Sequence, residues 1–198
     1  MNAMTGSDFT CYPASSLIKK DFYNLLSIYI DAVFHPLLKK ESFMQEAHRL
    51  EFMDPKDPHS PLIYKGVVYN EMKGAMSSPD ARIYHKTMTN LMPDLPYAHN
   101  SGGEPKEIPS LTYQGLLEFH KYFYHPSNCL FFFYGNLPLE EHLDFIEKRA
   151  LKNVSRTEPL LPLPKQKRFS SPVFPSGKYP LPAHIPTEKK TLVSLSFF

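Results

Sequence analysis

Apolar residues recur at helical spacing most clearly over residues 19–38, where Phe22, Leu25, Leu26, Tyr29, Ile30 and Val33 fall on one face. Asp21 stands where an N-cap is expected, and Pro36 closes the pattern. A weaker helical pattern covers residues 40–52, with Phe43, Ala47 and Leu50 on one side. His48, among Glu46, Arg49 and Glu51, reads there as a surface histidine. Residues 64–77 form a further amphipathic helix. Ser77, Ser78, Pro79 and Asp80 then start another over 81–92, because serine caps and proline suits the first turn. Residues 110–124 repeat the period with Leu111, Leu116, Leu117, Phe119 and Phe123 as the apolar set. Pro138 opens the last helix, with Leu143, Ile146 and Leu151 inward.

Strand patterns are shorter. Residues 2–4 and 10–12 flank the turn residues Thr5, Gly6, Ser7 and Asp8, and Pro13 ends the second strand or places it at an edge. Residues 129–134, CLFFFY, are apolar throughout and predict a strand covered on both faces. TLVSLSFF at 191–198 alternates like a half-buried strand. Helices beside such strands predict an α+β fold, two-layered, with helices packed on a mainly antiparallel sheet. Residues 54–61 hold three prolines and two aspartates and predict a loop. Eight prolines between Pro159 and Pro186 predict an extended linker. Opening and closing on strand patterns, the chain reads as a piece of something larger.

Composition agrees with a globular chain: 198 residues, 42% hydrophobic, 14% aromatic and 21% charged. A net charge of +2 implies no polyanionic partner, and the basic run at Lys165, Lys167 and Arg168 reads as solvated linker, so no nucleic-acid partner is expected. Cys11 and Cys129 fit neither metal-ligand spacing nor a disulfide framework; they are expected to be buried free thiols in a reducing compartment. No stretch approaches the roughly 20 apolar residues of a membrane span, and no signal peptide is visible, so no membrane partner is expected.

The chemistry centres on Glu71. Its helix surrounds it with Val67, Val68, Tyr69, Met72 and Ala75, and a charged carboxylate in apolar surroundings needs a cation, a hydrogen-bond network or a metal. Periodicity alone favours an ion pair with Lys73 or an arginine. Nine histidines are present, yet none forms HxxxH or HxxEH, and His120 and His125 diverge across a helix end. There is no GxSxG elbow for a serine nucleophile. Cys129 beside His125 makes a poor nucleophile at the start of a buried strand. The loop at 99–103, HNSGG, lacks the phosphate-binding patterns and reads as a tight turn.

Four separated motifs supply what spacing does not. NAMTGSDFTCYP at 2–13, GVVYNEMKGAM at 66–76, SGGEPKEIPSLT at 101–112 and FHKYFYHPSNCLFFFYGNLPLEEHL at 119–143 occur in the order found in one family. The chain resembles the presequence-protease branch of the pitrilysin/insulinase zinc metallopeptidases. The resemblance implies the LuxS/pitrilysin-like α/β domain, zinc as cofactor, and short unstructured peptides as substrates. In that family two histidines of HxxEH and a distal glutamate bind zinc, and the glutamate of HxxEH is the general base. The distal ligand matches Glu71. Such a ligand set leaves zinc an open position for a water whose acidity it raises. The residues matching Asn2 and Ala3 lie on an edge strand to which an extended peptide adds through its backbone. The 101–103 loop and YHPSN at 124–128 take fold roles.

By the same resemblance, residues 1–156 are a partial first peptidase domain, 157–188 its proline-rich linker and 189–198 the first strand of a homologous domain. HxxEH lies ahead of the 2–13 motif in the family and is absent here, so no catalytic residue is assigned in this chain. The expected partners are peptides and the remainder of the same polypeptide, and the isolated chain is expected to be inactive. The alternative is a non-catalytic homologue acting as scaffold or partner subunit.

Overall fold

The computed structural model describes residues 2–158 and 162–197; residues 159–161 of the linker and Phe198 of the final strand pattern lie outside the described residues. The fold is α+β, with six α-helices and two two-stranded sheets among the described residues. A hairpin comes first: β1 (Met4–Thr5) and β2 (Thr10–Cys11) form one sheet, closed where the Gly6 N–H donates to Phe9 O at 2.8 Å. The chain then divides into two compact units. One comprises Met1–Met4, Thr10–Lys39 and Thr112–Pro162, the other Thr5–Phe9, Lys40–Leu111 and Leu163–Phe198.

In the first unit α1 (Lys19–Phe34) buries the predicted stripe, with Tyr29 and Ile30 deepest. The cap is Ile18 rather than Asp21. The Phe22 N–H already bonds Ile18 O, so Asp21 lies in the first turn, where its charge complements the helix dipole. The core joins Ile30 to Ile146 and Ala150, with Leu26, Phe34, Phe131, Phe133 and Phe145 packed around them. Residues 129–134 run extended but are covered on one face only. Phe131 and Phe133 turn inward, while Leu130, Phe132 and Tyr134 are exposed, and no strand among the described residues pairs with them.

α5 (Tyr113–Phe123) starts at a Thr112 cap whose Oγ1 accepts from the Gly115 N–H at 3.0 Å. Its inner face is Tyr113, Leu116, Leu117 and His120; Leu111 precedes the helix, exposed. Phe119 and Phe123, expected inside, pack against each other at its surface with centroids 4.5 Å apart and rings tilted by 37°. His120 Nε2 reaches Val33 O at 2.8 Å and the Tyr113 hydroxyl donates to Leu38 O at 2.7 Å, which fixes this face by hydrogen bonds as much as by apolar contact. α6 (Leu139–Ile146) runs on into a π-helical turn, Glu147–Leu151. Leu143 and Leu151 point outward; the buried positions are His142, Ile146 and Ala150. His142 is core because its ring stacks flat on Phe133, 4.3 Å away, and its Nδ1 meets the Tyr23 hydroxyl at 3.0 Å.

The second unit corrects the reading of residues 40–52. A short α2 (Lys40–Glu46) gives way to β3 (Arg49–Phe52), which pairs antiparallel with β4 (Leu62–Lys65), Arg49 opposite Lys65 and Phe52 opposite Leu62. Arg49 drives the break: its guanidinium donates to the Met44 and Gln45 carbonyls at the end of α2 and to Glu51 at 2.6 Å. The 54–61 loop connects the strands as expected, with Asp54 and Asp57 carboxylates accepting from the N–H two residues on. After α3 (Val67–Ala75), α4 (Pro79–Leu91) opens with Pro79 at its first turn, and Ser78 Oγ accepts from the Ala81 N–H at 3.5 Å. The described residues 162–197 form no helix or strand. TLVSLSF therefore alternates without a ladder, and Val193, Leu195 and Phe197 stand exposed.

Candidate functional site

α3 is set by its neighbours on three sides. Gly66 precedes it in extended backbone, and a Cβ there would come within 2.1 Å of Ala47 O, so only glycine lets β4 and α3 pass the end of α2. Gly102 lies against the Met72 side chain: a Cβ would sit 2.3 Å from Sδ, which, unlike the backbone at Gly66, can shift. The 99–103 loop is the expected tight turn, with the Gly103 N–H bonded to Asn100 O, the Gly102 N–H to Asn100 Oδ1, and Gly103 at φ +96°. At the far end Arg82 Nε donates to Met76 O at 2.6 Å, satisfying a terminal carbonyl of α3.

These contacts hold Met72 and Met76 inward and turn Glu71 outward. Glu71 is exposed, not buried, and so are Val67 and Val68 on the turn before it. Neither Lys73 nor an arginine pairs with it; among the described residues it has no ion pair and no side-chain hydrogen bond. The side chain is open to solvent, so it needs no buried partner. What is left is a free carboxylate on a rigidly seated helix, able to offer one or two oxygens to a cation. The described residues hold no group of three or more His, Cys, Asp or Glu side chains placed to bind a metal.

In the first unit Asn2 and Ala3 are exposed and precede β1. Asn2 is pinned by Tyr29: its N–H donates to the buried phenol at 2.6 Å, and the phenol oxygen lies 2.9 Å from Pro13 O. The Ala3 N–H is taken by Asn2 Oδ1 at 2.9 Å. Asn2 also lines a depression of about 360 Å³ with Pro13, Ala14, Ser15 and Leu25. Tyr29 reads in the sequence as plain core; its place in an otherwise apolar stripe was the one available signal of a polar task. Tyr12 meets the Tyr124 hydroxyl at 2.9 Å, and burial, reinforced by that hydroxyl, pushes its pKa far above the ordinary tyrosine value. This pair ties the 2–13 motif to YHPSN. Within YHPSN, His125 Nδ1 accepts from the Ser127 N–H and Asn128 Nδ2 donates to Phe123 O, both turn-forming contacts.

A second depression, about 460 Å³, belongs to the α4 unit and is lined by His85, Thr89, Pro93, Ala98, His99, Asn100, Glu104 and Glu107. His85 Nε2 and Glu104 Oε2 stand 3.8 Å apart across it. Sequence spacing gave no sign of it, because the chain turns twice between its walls. Cys11 is half-buried and Cys129 exposed, both free thiols, so the expectation of two buried cysteines does not hold. No helix among the described residues is long and apolar enough to cross a membrane.

Comparison with known proteins places these features in a family. Residues 110–197 match the family model described as the peptidase M16 inactive domain, a span that does not include Glu71. The whole chain is 48% identical, over 202 aligned residues, to the mitochondrial presequence protease of Xenopus laevis, of which it covers 19%. It is 52% identical over 173 residues to the mitochondrial presequence protease of Danio rerio, covering 87% of this chain and 17% of that protein. A bacterial relative, protein HypA of Clostridium perfringens, is 45% identical over 199 residues, covering all of this chain and 20% of the relative. The chain thus spans about a fifth of the length of the curated relatives it matches. It belongs to the pitrilysin-type M16 peptidase family, in the branch of the presequence proteases.

Proposed function

We propose that this chain acts as part of a zinc-dependent metalloendopeptidase that degrades short unstructured peptides. In this reading Glu71 is the distal zinc ligand, and Asn2 and Ala3 form part of the edge to which an extended peptide adds. Its partners are peptide substrates and the remainder of the same polypeptide. Residues 1–156 belong to a first peptidase domain, 157–188 to its linker and 189–198 to the domain that follows. The carrying observation is the exposed carboxylate of Glu71, unpaired among the described residues, on a helix that Gly66 lets pass close to Ala47, inside a motif that matches the family's distal-ligand stretch. Backbone positioning of Asn2 by Tyr29, beside a shallow depression, supports the substrate-edge role.

The described residues assemble no group of three or more metal-ligating side chains, so in this reading the remaining zinc ligands come from elsewhere in the polypeptide. A single carboxylate is one ligand of the three that such peptidases require. The isolated chain is therefore expected to hydrolyse no peptide and to hold zinc weakly. The test is to express the chain with whatever coding sequence precedes Met1 in frame, with Glu71 kept or changed to Gln. If that sequence supplies HxxEH, Glu71→Gln should lower zinc affinity at least about tenfold and abolish chelator-sensitive hydrolysis of a fluorogenic peptide. Equal zinc content and turnover in the two proteins would sink the ligand assignment. A second reading, a non-catalytic scaffold or partner subunit, draws on the inactive-domain description of the model matched at residues 110–197. An upstream sequence without HxxEH would favour it.

A further inference from the structure

The proline-rich stretch reads in the sequence as a free linker, yet one residue in it behaves otherwise. Gln166 is 8% exposed, while every other described residue from 162 to 197 is exposed or half-buried. Its amide is spent on Asp94, just past the end of α4. Oε1 accepts from the Asp94 N–H at 3.0 Å, and Nε2 donates to Asp94 Oδ2 at 2.7 Å and to Lys167 O at 3.2 Å. A buried amide with both ends satisfied is a specific contact, because breaking either half strands a polar group. The same stretch returns to α4 further on, where Thr87 Oγ1 donates to Ser194 Oγ at 3.2 Å. In between, the Tyr179 hydroxyl donates to Lys190 O and the Ile185 N–H to Pro182 O, which close the stretch on itself. Proline lowers the conformational freedom of the released state, so few contacts are needed to hold such a segment down.

We propose that residues 163–197 form a strap clasped on α4, with the Gln166–Asp94 pair as its latch. Opening the latch releases the exposed basic residues that flank it, Lys165, Lys167 and Arg168. The strap is a conformational device independent of the zinc reading: it stands or falls on its own contacts.

The experiment is limited trypsin digestion of the full chain, followed by mass spectrometry, because the latch lies between trypsin sites. Lys56, exposed in the 54–61 loop, is the internal control. Asp94→Ala removes the carboxylate without altering the trypsin recognition sequence around Gln166. It should speed cleavage after Lys165, Lys167 and Arg168 about tenfold, equivalent to about 1.4 kcal/mol of opening free energy, with cleavage after Lys56 unchanged. Asp94→Asn keeps the backbone half of the latch and a side-chain carbonyl acceptor, and should give an intermediate rate. Unchanged rates at the three strap sites in Asp94→Ala would overturn the latch. So would a rise at Lys56 that matches the rise at the strap sites in both variants.

Discussion

In the unit of α1, α5 and α6 the contacts that matter lie inside: Ile30, Ile146 and Ala150 pack under a ring of phenylalanines, and even the polar His142 is drawn into the stack. The unit of α2, α3, α4 and the β3–β4 hairpin also buries Met76, Leu95, Ala98 and Ile108, but its hairpin inverts that arrangement. Its hairpin half-buries the charged face, where Glu51 bridges Arg49 at 2.6 Å and Lys65 at 3.1 Å, and exposes Leu50, Phe52, Leu62 and Tyr64 on the other. Two consequences differ by size. Full burial of one large apolar side chain contributes about 1.5–3 kcal/mol, whereas an ion pair open to solvent screening contributes far less. Both units bury a few apolar side chains, Tyr29, Ile30, Ile146 and Ala150 in the first and Met76, Leu95, Ala98 and Ile108 in the second, and both leave apolar surface uncovered. The second adds a backbone approach at Gly66 that only glycine permits.

The comparison breaks most readily at Ile30. Ile30→Ala leaves a cavity at the centre of the first unit and should destabilise it by about 2–5 kcal/mol. Amide exchange followed by mass spectrometry should register the loss in α1 and α6 peptides while β3–β4 peptides keep their protection. Equal loss in both would mean that the two units do not differ in the way their contacts indicate. Gly66→Ala tests the second unit through backbone rather than core. A methyl group 2.1 Å from Ala47 O forces α3 away from α2, and the expected loss is about 1–3 kcal/mol, read as faster exchange in 62–76 with α1 unaffected.

The smallest effect is electrostatic and carries a sign. Lys65 and then Arg49, by hydrogen bonding, hold the Glu51 carboxyl below its ordinary value. A lowered folded value means that the pairing stabilises the hairpin above the unfolded carboxylate range, near pH 4.3, and is lost as pH falls through the folded value. Exchange at β3–β4, corrected for intrinsic rates, should rise on acidification below about pH 4. Glu51→Gln should flatten that dependence. A profile identical in the two proteins would remove the charged face from the account of the hairpin.

Several features are legible in the sequence because they depend only on local order. The α1 stripe, the Ser78 cap with Pro79, the 54–61 loop and the HNSGG turn follow from helix period, capping geometry and turn chemistry, which act within a few residues. The motifs at 2–13, 66–76, 101–112 and 119–143 were enough to identify the family. The splitting of 40–52 was not legible. Arg49 decides it by reaching both a helix end and Glu51, and helical and strand periods cannot be told apart over so short an apolar pattern. Nor was the role of His142, whose burial rests on Phe133 and Tyr23 from distant segments.

Glu71 marks the boundary most clearly. Its position on a helix, its spacing from Val67 and Val68, and the motif around it come from the sequence alone. Whether the carboxylate is buried was decided by tertiary structure: Gly66 and Gly102 admit close neighbours on one side of α3, and the side bearing Glu71 stays open to water. Periodicity identifies which residues share a face. Only packing determines whether that face is covered, because burial is set by residues far away in the chain.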